Sequence, residues 1–149
     1  MKAINLNVQE QDHFCLCSVL QAILKKHGSN LSQKEIAKNL TPTELTPVKN
    51  GFIHNDSRIK GFMSRNGFSY LCFGTYETPF NEPDELLKEM SVNDGIIGFR
   101  KHAYLLKSFD KDKAELINPK NGKEVRIFYQ DLLKRMGHTG FFGLIKYIS

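Results

Sequence analysis

Helix-forming patterns dominate the first half of this chain, and strand-forming patterns dominate the second half. Up to Gly67 the apolar residues recur at helical spacing, and after it short β-prone runs dominate. A run of helices followed by a run of strands is typical of an α+β domain. The sequence therefore predicts N-terminal helices packed on a C-terminal, mostly antiparallel sheet. With no linker and no repeat in evidence, residues 1–149 are expected to form a single domain.

Helix-capping residues, glycine and proline indicate where the helices begin and end. Gly28 is a helix stop signal, and Ser32 and Glu35 have the spacing of a capping box. Pro42 and Pro47 predict a loop over residues 41–47. The first-half helices are expected over residues 18–27, 33–40 and 56–65. In the second half we expect helices over residues 83–90 and 128–136, and strands over residues 68–73, 96–99, 103–109, 114–117 and 141–148.

Composition excludes two classes of partner. Hydrophobic residues make up 40% of the chain and charged residues 25%, which is typical of a soluble globular domain. Lys and Arg exceed Asp and Glu by 21 − 16 = 5, but they are spread along the chain. Without a basic stripe interleaved with aromatic residues, no nucleic-acid partner is expected. No apolar run approaches the length of a membrane span, so no integral membrane segment is expected either.

The cysteine count and the N-terminal residues bear on the compartment. Three cysteines are an odd number, and Cys15 and Cys17 stand too close to bridge comfortably. That count gives no disulfide framework and fits a reducing compartment. The first residues lack the hydrophobic region of a classical signal peptide. We expect a cytoplasmic protein, or one exported by a route without a classical signal peptide.

Four polar side chains stand in the order that a Cys-His thiol site requires: Gln9, Cys15, His102 and Asn118. A thiol is a strong nucleophile only as the thiolate, which an adjacent imidazole and a helix N-terminus both favour. Cys15 stands just before the first expected helix, so its pKa is expected to be lowered. His102 would act as general base and then as the acid for the leaving group.

Gln9 is the candidate donor to a developing oxyanion. It stands six residues before Cys15, from where its amide NH2 can point at the site above the helix start. The same spacing relates Gln11 to Cys17, which leaves two registers open. We prefer Cys15, because the whole expected helix then lies downstream of the nucleophile.

His102 and Asn118 are expected to be neighbours in the sheet. His102 opens one β-prone run, Asn118 follows the next, and a polar hairpin turn separates the two runs. The Asn118 side chain could then hold the imidazole in one orientation. Residues 118–122 also have the composition of a turn.

A metal site built from His13, Cys15 and Cys17 is the competing interpretation of the cysteine segment. The paired CxxC spacing of zinc sites is absent, which disfavours it. Thiol hydrolysis passes through a tetrahedral adduct and a thioester, and it needs neither a metal nor an organic cofactor. No cofactor is therefore expected.

In these motifs the chain resembles the papain-like cysteine peptidase domains that cleave double-glycine leaders in bacteriocin ABC exporters, and their stand-alone relatives. The family pattern has a glutamine six residues before the nucleophile, an apolar helix ending in glycine, a histidine opening a hydrophobic strand, and Asp-Pro-x-x-Gly. Here the matching segments are Cys15-Leu-Cys-Ser-Val-Leu-Gln-Ala-Ile-Leu-Lys-Lys-His-Gly, His102-Ala-Tyr-Leu-Leu and Asn118-Pro-Lys-Asn-Gly.

The resemblance covers nearly the whole chain. It implies a bacterial cysteine peptidase of papain-like fold that acts on a peptide or protein substrate through Cys15, His102, Asn118 and Gln9. Phe14 stands where the family has an aspartate, and two further positions depart from the pattern. Leu16 replaces a glycine, which predicts a side chain beside the nucleophile in the path of the substrate. Asn118 replaces an aspartate, but its oxygen can still accept a hydrogen bond from a histidine N–H.

We therefore expect a cysteine peptidase that cleaves a peptide or isopeptide bond through a Cys-His-Asn site. The same residues could instead deamidate glutamine or transfer an acyl group on another protein. A catalytically degenerate peptide-binding domain is the remaining alternative, and Leu16 is the feature that most favours it.

Overall fold

The computed structural model describes residues 4–40, 56–77, 83–110 and 112–148. The expected loop over residues 41–47 lies outside these ranges. The helices are α1 (Cys15–Lys26), α2 (Gln33–Leu40), α3 (Asp56–Arg65), α4 (Pro83–Val92) and α5 (Tyr129–Met136). The strands are β1 (Phe68–Gly74), β2 (Asp94–Phe99), β3 (His102–Asp110), β4 (Lys113–Ile117), β5 (Glu124–Phe128) and β6 (Phe141–Tyr147).

The strands form one antiparallel sheet in the order β1-β6-β2-β3-β4-β5. Neighbouring residues of a strand face opposite sides, so Ile96 and Ile97 belong to different core clusters. The cluster of Ile96 contains the buried apolar residues of α1, α2 and α3. The cluster of Ile97 contains those of α4 and α5. The predicted α+β architecture is confirmed, and the strand β3 that carries His102 lies in the interior of the sheet.

The capping box at the start of α2 is present as predicted. The Glu35 N–H donates to Ser32 Oγ at 3.1 Å, and the Ser32 N–H donates to Glu35 Oε1 at 3.4 Å. These reciprocal bonds satisfy two donors that the helix start leaves without intrahelical partners. This local signal marks the start of α2, and the helix has the predicted bounds.

Helix α1 begins three residues earlier than predicted, at Cys15. Ser18 has the residue type of an N-cap, but its N–H already donates to Phe14 O, so it lies within the helix. Its hydroxyl donates to Asn7 O in the N-terminal arm instead. The Ser18 hydroxyl therefore makes a tertiary hydrogen bond and does not cap the start of a helix.

Strand β5 was not predicted. Only Ile127 of its five residues is buried, and the strand lies at an edge of the sheet beside β4. A strand that buries no alternating face shows no period-two pattern in the sequence. Its polar residues are typical of a protected sheet edge.

A two-residue turn joins β2 to β3 and places His102 at the first position of its strand. Phe99 pairs with His102, and the intervening Arg100 and Lys101 have φ angles of 53° and 57°. Two successive left-handed residues are the signature of the type I′ turn, which usually contains Asn and Gly. The tight turn fixes the register of His102 against the neighbouring strand.

Gly98 allows β6 to bring an aromatic ring across β2. Gly98 pairs with Ala103 on one side and with Phe141 on the other. A Cβ built at Gly98 would overlap the Phe141 ring. The ring therefore occupies the space that any other residue at position 98 would need.

Gly98→Ala should destabilise the protein by about 1–3 kcal/mol, because the added methyl group must displace the Phe141 ring. Urea unfolding measures this free energy. Gly61→Ala is the matched control: Gly61 lies within α3, its added Cβ meets only the end of the Arg65 side chain at 3.4 Å, and helix propensity favours alanine. An equal effect of the two substitutions would contradict the account of Gly98.

Candidate active site

The first turn of α1 holds Cys15 against strand β3. The helix buries its apolar face beneath the sheet, and Cys15 is 1% exposed. The backbone N–H of Ala103, the residue after His102, lies close enough to the Cys15 sulfur to lower the pKa of the thiol. The N–H groups of Cys15 and Leu16 lower it as well. The thiol and the residues at the start of β3 therefore share one site.

Burial decides the protonation state of the thiol. Loss of solvation raises the pKa of Cys15 to about 11, although the Ala103, Leu16 and Cys15 N–H groups each lower it. The prediction of a lowered pKa is therefore wrong. The sequence argument counted the helix N-terminus but not the desolvation of a sulfur buried between a helix and a sheet.

His102 and Asn118 are in direct contact. His102 Nε2 lies 2.7 Å from Asn118 Oδ1. Asn118 follows β4, and the neighbouring hairpin brings it beside the start of β3. The hydrogen bonds of the described residues include none between the Cys15 sulfur and the His102 ring.

A backbone hydrogen bond determines which nitrogen of His102 carries the proton. The Lys120 N–H donates to Asn118 Oδ1 at 3.0 Å, which identifies that atom as the amide oxygen. An oxygen can only accept, so His102 Nε2 must be the donor to it. The neutral ring then has its lone pair on Nδ1, which is the nitrogen available as a general base.

Tyr104 braces the imidazole from a second direction. Its ring meets the His102 ring edge-on, with centroids 4.8 Å apart, and stacks on Phe99 at 5.0 Å. Burial raises the pKa of Tyr104, whereas Arg100 and Arg135 lower it. The orientation of His102 is thus set by an amide on one side and an aromatic ring on another.

Gln9 lies beside the site, but its amide hydrogens already have partners. The Gln9 N–H donates to Pro119 O at 2.8 Å, next to Asn118. Its Nε2 donates to Gln11 O and Asp12 O, both at 3.0 Å, and its Oε1 is buried with no hydrogen-bond partner among the residues that the structure describes. These two hydrogen bonds of the Gln9 side chain stabilise the loop that leads into α1. To reach an oxyanion it would have to exchange one of these bonds.

Cys17 occupies a different environment from Cys15. It is fully buried, and burial is the largest cause that raises its pKa to about 12. The N–H of Ala103 meets Cys15 and not Cys17. This geometry favours the Cys15 register.

The remaining histidines of the described residues have partners elsewhere. His27 contacts Asp94 at 3.3 Å and stacks on Tyr147, and His138 contacts Tyr76. His13 packs against Phe14. In the described ranges, no group of three or more His, Cys, Asp or Glu side chains has an arrangement that could hold a metal ion.

The Leu16 side chain is enclosed by the protein core. It is fully buried and belongs to the core cluster on the side of α1, α2 and α3, which also contains Cys15. A leucine side chain exposed along the path of a substrate is therefore not observed. Leu16 is the second residue of α1, and its N–H lowers the pKa of the neighbouring thiol.

Solved structures share this arrangement of elements. One of them is a double glycine motif protease from an AMS/PCAT transporter, solved in complex with the leader peptide. The match has a TM-score of 0.72 and 17% sequence identity, and it covers 98% of this chain and 93% of that chain. The chain has a papain-like peptidase fold. No family model matches the sequence, and no curated protein does.

Two further solved structures are similar over nearly their whole length. The peptidase domain of Streptococcus ComA, a bifunctional ABC transporter involved in quorum sensing, has a TM-score of 0.68 and 16% identity, with 98% of this chain and 99% of that chain covered. A putative C39-like peptidase from Bacillus anthracis has a TM-score of 0.65 and 9% identity, with 100% and 98% covered. The resemblance to double-glycine peptidase domains is thus confirmed at the level of the fold.

Three parts of the site were missed in the sequence. The N–H groups of Ala103 and Lys120 are backbone atoms, and residue type gives no signal for the first. The Asn-Pro turn could have indicated the second, because an asparagine side chain commonly accepts from the N–H two residues on. Tyr104 was assigned only to the apolar run after His102.

The rate of alkylation of Cys15 should rise about tenfold per pH unit from about pH 7 to about pH 10, because only the thiolate reacts. A pKa of about 11 leaves the thiol protonated over this range. Iodoacetamide labelling at several pH values, with the label located by mass spectrometry, measures the rate. A plateau below about pH 7 would reveal a preformed thiolate–imidazolium pair and contradict the role assigned to burial.

Proposed function

We propose that the domain formed by residues 1–149 is a cysteine peptidase that cleaves a peptide or isopeptide bond. Cys15 is the nucleophile, His102 the general base and Asn118 the residue that orients the imidazole. The observation that carries this proposal is the His102–Asn118 contact at 2.7 Å, formed where the Ala103 N–H meets the Cys15 sulfur.

The protonation states suggest a general-base mechanism rather than a resting ion pair. The raised pKa of Cys15 keeps the thiol protonated at neutral pH, and in the neutral form of the His102 ring Nδ1 carries the lone pair. As the sulfur attacks the carbonyl carbon, its proton passes to Nδ1 and the carbonyl electron pair moves to oxygen. His102 then gives the proton to the leaving amine. Water adds to the thioester and releases the acid and the free thiol.

The start of α1 supplies donors for the oxyanion. No side chain caps this helix, whose N-cap residue is Phe14, and its first turn contains no acidic residue. The N–H groups of Cys15 and Leu16 lower the pKa of the thiol, and such donors at a helix start could also stabilise an oxyanion formed next to the sulfur. Gln9 would add a side-chain donor after exchanging one of its bonds to the loop before Cys15.

A peptide is the substrate class that the comparison favours. One similar protease was solved in complex with the leader peptide. In the described ranges, no helix is both long and apolar enough to cross a membrane.

The proposed catalytic steps use only side chains and backbone N–H groups of this chain.

A catalytically degenerate peptide-binding domain is the second candidate. The raised pKa of Cys15 favours it, because a thiol that stays protonated is a weak nucleophile unless a base assists. Deamidation or acyl transfer would use the same three residues with another leaving group or acceptor. These functions differ in their products, which makes them separable.

Incubation with a proteome-derived peptide library should produce new peptide termini that disappear in Cys15→Ser and His102→Ala. Removal of either group from a site that acts as a unit should lower turnover by at least about 10³-fold. Mass spectrometry of the termini measures cleavage. Release of ammonia with a gain of about 1 Da in mass, without new termini, would show deamidation instead.

Cys17→Ser is the matched control, because Cys17 lies in the same helix turn and is equally buried. It should retain most of the activity after correction for the folded fraction. Loss of cleavage in Cys17→Ser with retention in Cys15→Ser would reverse the register. Peptide binding without any product would identify the degenerate domain.

Gln9→Ala tests the oxyanion role separately. If the Gln9 amide donates to the oxyanion, its removal should lower turnover by roughly 10²–10³-fold while substrate binding changes little. The donor acts on charge that develops only in the transition state. Steady-state kinetics on a cleaved peptide measure both quantities. Unchanged turnover would leave the oxyanion to the N–H groups at the start of α1 alone.

A further inference from the structure

Gln33 is a fully buried polar side chain with no role in the chemistry above. It is the first residue of α2 and is 0% exposed, although glutamine is usually found at the surface. A buried amide is retained at a cost unless its hydrogen bonds are made. Its partners therefore indicate what it does.

The Gln33 amide grips the backbone on both sides of Gln9. Its Oε1 accepts from the Glu10 N–H at 2.9 Å, and its Nε2 donates to Val8 O at 3.1 Å. In an extended chain, the C=O of one residue and the N–H of the next but one point to the same side. The side chain thus pairs with the arm as a neighbouring backbone would.

The opposite side of the same segment is hydrogen-bonded to the turn between β4 and β5, which contains Asn118. The Gln9 N–H donates to Pro119 O, the residue after Asn118. The Gln9 side chain donates to Gln11 O and Asp12 O, in the loop that leads into Cys15. Gln9 therefore bridges the two halves of the candidate site, and Gln33 holds it in that position.

We propose that Gln33 is a positioning residue of the Cys15 site and acts through Gln9. The inference rests on the peptidase proposed above. Without the Gln33 amide, the segment around Gln9 keeps its bond to Pro119 but loses its anchor on α2. The Gln9 amide would then be poorly placed to exchange onto the oxyanion, and small displacements of such groups are costly.

Two reactions at Cys15 separate positioning from folding. With acetyl-glycyl-glycinal, the sulfur forms a bond to the aldehyde carbon, the C=O π pair moves to oxygen, and the thiol proton ends on that oxygen. This hemithioacetal places its oxygen in the oxyanion site. Iodoacetamide reacts by displacement of iodide, forms no oxyanion and needs only the thiolate.

Gln33→Met should weaken the aldehyde adduct about tenfold while changing the alkylation rate of Cys15 less than about twofold. The adduct is measured by protection of Cys15 against alkylation, so both values come from folded protein. If Gln33→Met does not fold, the same measurement is made on Gln33→Asn, which keeps the amide on a shorter side chain. This variant should also weaken the aldehyde adduct about tenfold.

Gln21→Met is the matched control. Gln21 Oε1 also accepts from Gln33 Nε2, at 3.1 Å, but its own amide donates to Leu31 O and none of its hydrogen bonds reaches the arm. It should change adduct stability less than about twofold, because Gln33 Nε2 keeps its bonds to Val8 O and Asn7 O in the arm. Combining Gln33→Met with Gln9→Ala should weaken the adduct no further than Gln9→Ala alone, because Gln33 acts through Gln9.

Equal fold-changes in adduct stability and in the alkylation rate of Cys15 would overturn the positioning role of Gln33. The same conclusion would follow if the effects of Gln33→Met and Gln9→Ala on adduct stability were fully additive. An unchanged adduct in both Gln33 variants would also overturn it. If the parent protein forms no adduct at all, the proposed peptidase fails, and this inference fails with it. An adduct in the parent that tolerates both Gln33 variants would contradict the inference and leave the peptidase standing.

Discussion

The packing of α1 against β3 is the contact on which the candidate site depends. The helix buries nine of its residues, including Cys15 at its start. At its other end, Lys26 forms an ion pair with Asp94 of β2 at 2.8 Å, which fixes the helix against the sheet. Because both ends are held, the sulfur of Cys15 meets the Ala103 N–H, and the strand that carries His102 cannot shift without moving the nucleophile.

The same burial sets the chemistry that the site can use. Backbone N–H groups lower the pKa of Cys15, but desolvation outweighs them and the thiol stays protonated at neutral pH. The hydrogen bond from His102 to Asn118 leaves Nδ1 free to accept a proton. The proposed general-base mechanism rests on these two features.

The sequence was sufficient where local chemistry decides the structure. The Ser32–Glu35 capping box defines α2, and the hairpin between β3 and β4 brings His102 to Asn118. It was insufficient where tertiary packing decides. The inward direction of Leu16, the desolvation of Cys15 and the grip of Gln33 on the N-terminal arm all depend on which surfaces meet.

An acyl-enzyme would test the central claim most directly. A glycyl-glycine peptide ester, quenched in acid at early times, should leave its acyl group on Cys15 as a thioester that hydroxylamine removes. Mass spectrometry would locate it, and the His102→Ala variant should show none. Acylation of Cys17 or Cys72, or equal acylation of Cys15 in the His102→Ala variant, would contradict a Cys15 nucleophile activated by His102.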